Sequence, residues 1–186
     1  MPTAPPLRSS LALACLLGCG KHHEPPAPAT PSQVARVDAI AIDGKLDEPA
    51  WNASARVFTF TDQGAEARPF SQVRMLHDAQ HLYVGLYAAD QDIRSSDRFQ
   101  LVVGDQTLAI DPHGQVAPVT SGASAAIDLD GTIDDPSDED EEWVIELAMP
   151  LPAQPFAIRA SRCDTPKDGV ERCGSWAAAA PLTLAP

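Results

Sequence analysis

The stretch Ile42-Asp43-Gly44-Lys45-Leu46-Asp47-Glu48-Pro49-Ala50-Trp51 combines a tight turn, a helix start and a large aromatic side chain within ten residues. Asp43 and Gly44 follow an apolar segment, and this pair is typical of a turn after a strand. Asp47 is predicted to cap a short helix whose third residue is Pro49. Because tryptophan is usually buried, Trp51 is predicted to be a core residue that closes one end of a β-sandwich.

Two later segments alternate apolar and polar residues with the period of two that a half-buried strand requires. Residues 99–103 and 107–110 predict a hairpin across Gly104 and Asp105. No long helical periodicity is present, and turn residues recur at the spacing of a sandwich. The sequence therefore predicts an all-β fold, an antiparallel, jelly-roll-like β-sandwich. The alternating apolar positions are Leu82, Val84, Leu86 and Ala88, and then Trp143, Ile145, Leu147 and Met149.

Three further segments stand out beside residues 42–51. They are residues 77–87 (HDAQHLYVGLY) followed by Asp90, residues 111–114 (DPHG) and residues 143–150 (WVIELAMP). Together the four segments resemble the family 9 carbohydrate-binding modules. The matching segments occur in the family's order within residues 34–184. The resemblance implies a sandwich domain that binds carbohydrate and has no catalytic activity.

The N-terminal residues predict export. Arg8 precedes a short apolar run that cannot span a bilayer, and Leu16-Leu17-Gly18-Cys19 resembles the lipobox of bacterial lipoproteins. We expect residues 1–18 to be a lipoprotein signal peptide, Cys19 to carry the lipid, residues 19–33 to be a disordered, proline-rich linker, and residues 34–186 to form the folded domain. Gly20 would permit sorting to the outer membrane. An ordinary secretory signal is the alternative.

Four cysteines are present, and two of them lie in the N-terminal segment. The other two, Cys163 and Cys173, are separated by a segment rich in turn residues. An oxidising compartment would join them in a disulfide that closes a hairpin. Two free thiols are the alternative, whereas a metal site is excluded because no further cysteine pair or histidine lies nearby to complete it.

The chain is acidic, with 26 Asp and Glu against 13 Lys and Arg. Nucleic acid and anionic membrane surfaces are therefore excluded as partners, and the lipid anchor is the expected membrane contact. Nine acidic residues fall within residues 128–142. Calcium prefers such carboxylate-rich loops, and Asp128, Asp130 and Asp134 are the best-spaced ligands, although the spacing is not that of an EF-hand. A solvated acidic loop is the alternative.

The family resemblance implies a terminal sugar held between two aromatic rings. Residues 91–97, where the first ring is expected, contain no aromatic residue, and Ala109 stands where an arginine is expected. Trp176 lies near the second expected ring but also resembles a structural tryptophan of the last strand. A sugar would then need a rebuilt site, for which Trp176, Asp111, Arg94 and Gln100 are the predicted residues.

Catalysis is not expected. The segment at residues 122–126 (GASAA) lacks the closing glycine of a nucleophile elbow. Asp78 and Glu146, the acidic residues beside apolar strands, match structural positions of the family. Two further hypotheses remain: an envelope protein with a degenerate sugar site that binds a protein partner through residues 158–176, and a haem-binding sandwich that uses Met75, His77 or Met149.

Overall fold

A computed structural model describes residues 33–119 and 122–186. The predicted signal peptide, the lipidation site Cys19 and almost all of the predicted linker lie outside these residues. These described residues form fourteen strands and one short helix. They are β1 (Gln33–Arg36), α1 (Pro49–Ala53), β2 (Arg56–Thr59), β3 (Thr61–Asp62), β4 (Ala65–Glu66), β5 (Ser71–His77), β6 (His81–Ala89), β7 (Arg98–Val103), β8 (Gln106–Ile110), β9 (Val116–Ala117), β10 (Ser124–Asp130), β11 (Glu142–Pro150), β12 (Ile158–Asp164), β13 (Arg172–Ala177) and β14 (Thr183–Leu184).

The strands form two sheets that pack face to face, which confirms the predicted all-β sandwich. Sheet 1 has the order β10-β11-β6-β5-β1-β14, with β2 also paired to β5. Sheet 2 has the order β4-β3-β13-β12-β7-β8-β9. The pairing is antiparallel except at β1, which runs parallel to both β5 and β14. The predicted hairpin is the β7–β8 pair.

The core lies between the sheets and follows the period-two alternation of the central strands. In β6 and β11 the predicted apolar positions are all buried, with Trp143 and Leu86 both fully inaccessible. The two strands are paired directly. Since each large apolar side chain contributes about 1.5–3 kcal/mol when it is buried, this pair of strands accounts for much of the sandwich's stability.

The segment at residues 42–51 is attached to the outer face of sheet 1. Trp51 is fully buried against Leu76 and Tyr83, as predicted, but it covers this face instead of closing an end of the sandwich. Its indole Nε1 donates a 2.8 Å hydrogen bond to Oε1 of Glu146 in β11. The backbone N–H groups of Asp43 and Gly44 donate to the other oxygen of Glu146 at 2.9 and 3.0 Å. One buried carboxylate therefore ties the whole segment to the sheet.

The start of α1 differs from the sequence prediction. The N-cap residue is Glu48, whose side chain makes no capping hydrogen bond, and Pro49 begins the helix. Asp47 is exposed. Proline at the first helical position has no N–H to satisfy and already has a helical φ, so the helix begins there without an aspartate cap.

Within residues 33–119 and 122–186, no helix is long and apolar enough to cross a membrane.

Candidate functional site

A cleft of about 1110 Å³ opens at one end of the sandwich, where loops from both sheets meet. We call it the end cleft and define it by residues 68–70, 89–92, 139–141 and 166–168, with Asp164 and Arg172. The first three groups flank β5, β6 and β11 of sheet 1. The remainder belongs to the β12–β13 hairpin of sheet 2, so the cleft is built only when the two sheets are packed together.

Arg162 lies beneath the end cleft and joins the two sheets. Its side chain is 2% exposed. One guanidinium nitrogen donates to Oδ2 of Asp90 at 2.6 Å and to Oδ1 of Asp164 at 2.8 Å. The other donates to the carbonyl oxygen of Ala89 at 2.7 Å. The indole N–H of Trp143 also donates to Asp90, at 3.2 Å, so the core aromatic residue is part of the same network.

A third carboxylate, that of Asp97, lies beside the two that are bonded to Arg162. Ligand oxygens of Asp90, Asp97 and Asp164 lie within 4.8 Å of one another, and all three residues are buried. Burial raises the pKa of Asp97 to about 6, although the hydrogen bonds that its carboxylate accepts from backbone N–H groups lower it. Burial also raises the pKa of Asp164, and the nearby charge of Arg162 opposes this rise. The cluster therefore carries more negative charge than its one cation balances, which favours bound protons.

The rim of the end cleft carries an aromatic ring. Phe70 is partly exposed and packs against Tyr87 edge to face, with 6.1 Å between ring centroids. Burial and the hydrogen bond to the Glu142 carboxylate raise the pKa of Tyr87 to about 12. Phe70 thus presents part of its ring at the mouth of the cleft while it packs against a neighbour whose hydroxyl group is itself hydrogen-bonded.

The acidic loop that precedes β11 is held to the neighbouring loop by its own hydrogen bonds. The buried carboxylate of Asp140 accepts from the N–H of Thr132 at 2.7 Å and from the N–H of Ile93 at 2.6 Å. Asp134 accepts from the N–H of Ser95 at 3.1 Å. Gly131 has a φ of 147°, and a Cβ there would lie 2.1 Å from the Asp140 carboxylate. The loop conformation therefore depends on Asp140 and on a glycine that leaves room for it.

Solved structures with the same architecture were found. A family 9 carbohydrate-binding module from Caldicellulosiruptor kristjanssonii in complex with cellotriose matches with a TM-score of 0.58 and 12% identity, over 77% of this chain and 82% of that chain. The same kind of module in complex with glucose matches with a TM-score of 0.50 and 12% identity, over 77% and 83%. The domain has the fold of a family 9 carbohydrate-binding module.

A third structure agrees with this fold. A candidate carbohydrate-binding protein from Bacteroides uniformis ATCC 8492 matches the family 9 fold of this chain with a TM-score of 0.53 and 10% identity, over 81% of this chain and 92% of that chain. No family model matches the sequence, and no curated protein matches it.

Two of the four sugar residues predicted for this family 9 fold, Gln100 and Trp176, line a small groove of about 110 Å³ on sheet 2. The strand register nevertheless places their side chains on opposite faces of that sheet. Gln100 pairs with Ser161 and is exposed, whereas Trp176 pairs with the buried Ala160. The Trp176 ring stacks on Phe58 of sheet 1, with centroids 4.2 Å apart and planes at 22°. One face of the indole is therefore covered.

The other two predicted sugar residues do not line that groove. Asp111 closes the turn after β8, because its Oδ1 accepts from the N–H groups of His113 and Gln115, both at 3.0 Å. Arg94 lies in the loop after β6 and donates from Nε to Asp92 at 2.7 Å. Both polar groups are thus engaged in holding loops.

The predicted calcium ligands are dispersed. Asp128 and Asp130 lie two residues apart on β10 and are exposed, and Asp134 lies in the acidic loop. The nearby Ser95 lowers the pKa of Asp134 through hydrogen bonds from its hydroxyl and its N–H. Among the residues that the structure describes, the groups of three close ligands do not include these three. Calcium binding stays a prediction.

The disulfide prediction is confirmed. Cys163 and Cys173 are bonded and lie directly opposite each other in β12 and β13.

The residues considered above for haem binding or catalysis are buried in the core or hydrogen-bonded within the protein. Met75 and Met149 are buried in the core between the sheets. His77 is buried at the end of β5, and its Nδ1 lies 2.8 Å from the carbonyl oxygen of Asp78. Asp78 accepts a 2.7 Å hydrogen bond from the hydroxyl of Tyr83.

Sequence reasoning missed Arg162 and Phe70. Arg162 follows Ile158 and Ala160 at the inward-facing positions of β12, and all three are buried. In the sequence of β12, a charged residue continues the alternation of apolar residues that face the core. This pattern is the signal that could have identified the buried network. Phe70 lies between Pro69 and Ser71 and offers no comparable pattern.

Proposed function

We propose that the domain binds carbohydrate and has no catalytic activity. The observation that carries this proposal is the end cleft, which places a partly exposed aromatic ring beside polar side chains in a space of about 1110 Å³. Likeness to modules solved with cellotriose and glucose supports the same class of ligand. The apolar face of a pyranose ring packs on an aromatic surface, and its hydroxyl groups donate to carboxylates, so Phe70 and the acidic walls suit such a ligand.

Catalysis by the carboxylates beneath the cleft is opposed by their burial. Asp90, Asp97 and Asp164 are 2%, 1% and 1% exposed. A glycosidase needs two carboxyl groups in contact with the scissile bond. Asp90 and Asp164 line the cleft but expose almost nothing to a bound sugar, and both are bonded to Arg162. The proximity of the three carboxylates is therefore a structural feature of the packed sheets.

Export and lipidation belong to the same proposal. A lipid on Cys19 and a linker at residues 19–33 would hold the domain beside a bacterial envelope membrane, the outer one if sorting follows Gly20. The disulfide in the folded domain supports an oxidising compartment. Fractionation of cells that express the full chain tests this: the wild type is expected in the membrane fraction, and Cys19→Ala in the soluble exported fraction. A soluble wild type would contradict lipidation.

The binding proposal is tested by a glycan array followed by calorimetry on the purified protein, with calcium and again with a chelator. Phe70→Leu probes the end cleft, and Gln100→Ala probes the groove on sheet 2. Saturable binding that Phe70→Leu weakens supports the end cleft. Binding that only Gln100→Ala weakens moves the site to the groove.

If the protein binds none of the glycans, the proposed function is overturned. That result would leave the hypothesis of a protein-binding envelope component with a degenerate sugar site, whose partner would be sought by affinity capture.

A further inference from the structure

The walls of the end cleft carry an excess of negative charge. Seven acidic residues line it, against three basic ones. The acidic residues are Asp90, Asp92, Glu139, Asp140, Glu141, Asp164 and Asp168. Because a cleft with low-dielectric walls concentrates the field of its charges, the ligand's own charge matters more here than on a flat surface.

The three basic residues of the cleft are already engaged with acceptors of the protein. Arg68 forms an ion pair with Glu66 at 3.0 Å, and Arg172 forms one with Asp168. The ammonium group of Lys167 donates to a backbone carbonyl oxygen at 3.1 Å. The charge of each cation is therefore already partly balanced or engaged before a ligand carboxylate or phosphate arrives.

Part of the negative charge of the cleft, in contrast, lacks donors. Glu139 and Glu141 are exposed, and their carboxylates accept no hydrogen bond and form no ion pair with other described residues. Deeper in the cleft, Oδ2 of the buried Asp164 accepts no hydrogen bond within the described part of the chain. The cleft thus offers acceptors and negative charge to whatever enters it.

Phe70 adds a surface that suits the same ligand. The face of an aromatic ring attracts both the polarised C–H groups of a sugar and an ammonium group. Glu141 lies close enough to Tyr87, which the ring of Phe70 contacts, for its charge to raise the pKa of that tyrosine. An aromatic face and an unpaired carboxylate therefore occur together at the mouth of the cleft.

We propose that the saccharide bound by the end cleft carries a protonated amine, as an oligomer of glucosamine does. This inference rests on the proposed function, since it specifies the class of sugar for that site. The ammonium group would lie against Glu139 and Glu141 while the pyranose ring packs on Phe70. N-acetylated and neutral oligomers of the same length would lose the charge contribution, and acidic polysaccharides would be repelled.

The test is calorimetry on the purified protein with three probes of equal length: oligomers of glucosamine, N-acetylglucosamine and glucose. The glucosamine oligomer is expected to bind most tightly and to weaken as salt is added. The double variant Glu139→Gln with Glu141→Gln is expected to weaken it about three- to tenfold and to weaken the neutral probes less, because glutamine loses the charge but still accepts hydrogen bonds from sugar hydroxyl groups. The control is Asp62→Asn with Asp105→Asn, which removes the same charge from exposed positions outside the cleft.

Phe70→Leu keeps an apolar side chain against Tyr87 and is expected to weaken every probe that binds, about two- to tenfold. Equal affinity for charged and neutral probes, or an equal effect of the control, would overturn the amine inference and leave the proposed function standing. No binding of any oligomer, by array or by calorimetry, would overturn both.

Discussion

Replacement of Arg162 by methionine should destabilise the domain in a manner that depends on pH. Methionine fills much of the volume of the arginine stem but leaves Asp90 and Asp164 buried without their shared cation, each having lost a hydrogen bond of 2.6 or 2.8 Å. Removing one partner of a buried ion pair costs about 3–5 kcal/mol. For a domain of this size, that free energy corresponds to a fall in the melting temperature of about 6–20 °C.

The sign of the pH dependence follows from the same carboxylates. Burial already raises the pKa of Asp97 and of Asp164, and loss of the guanidinium would raise them further. A carboxyl group whose folded-state pKa exceeds its unfolded value stabilises the fold at low pH, and this contribution is lost as the pH rises through the folded pKa. The cost of Arg162→Met should therefore be largest near pH 8 and much smaller near about pH 5.

Thermal unfolding followed by circular dichroism between these two pH values measures the effect. Arg159→Met is the matched control, because Arg159 lies on the same strand but is exposed, and its free energy of unfolding should change by about 0.5 kcal/mol or less. A variant that does not fold near pH 8 can still be measured at the acidic end. A loss below about 1 kcal/mol near pH 8, or an equal loss at both pH values, would refute the assigned role of Arg162.

Three further predictions follow from other parts of the fold. Burial raises the pKa of Glu146 to about 7 and that of Asp97 to about 6. The melting temperature of the wild type should therefore fall as the pH rises from about 5 to 8. An unchanged or rising melting temperature would contradict this prediction. Trp51→Phe leaves one oxygen of the buried Glu146 without its indole donor and should cost about 1–3 kcal/mol in urea unfolding, whereas a neutral effect would show that this bond is dispensable. A chelator should leave the domain folded, because backbone N–H groups hold the acidic loop. If calcium binds as predicted, adding it should raise the melting temperature of the wild type, and Asp130→Asn should abolish that rise. No rise in the wild type would refute the calcium prediction.

The local patterns of the sequence were sufficient for the fold, since the alternation in β6 and β11 directly reflects which side chains face the core. They also predicted the burial of Trp51. They did not predict that Glu146, 95 positions away, would accept its indole N–H, because that contact depends on where two distant segments meet.

The site was harder to predict for the same reason. Gln100 and Trp176 both belong to strands of sheet 2, but the strand register places them on opposite faces, and a shift by one residue would have reversed this. The end cleft is assembled from four loops of both sheets. Its lining therefore depends on how the sheets are stacked, which no single segment encodes.

The network around Arg162 separates two tasks within one small region. Arg162, Asp90 and Asp164 hold the sheets together, whereas Phe70, Glu139 and Glu141 form the mouth and take no part in that network. If the proposed function holds, substitutions at the mouth would therefore change which ligand is accepted at little cost to folding. A library randomised at these three outer positions should consist mostly of folded proteins, and the domain is in this respect a natural starting point for selecting new binding specificities.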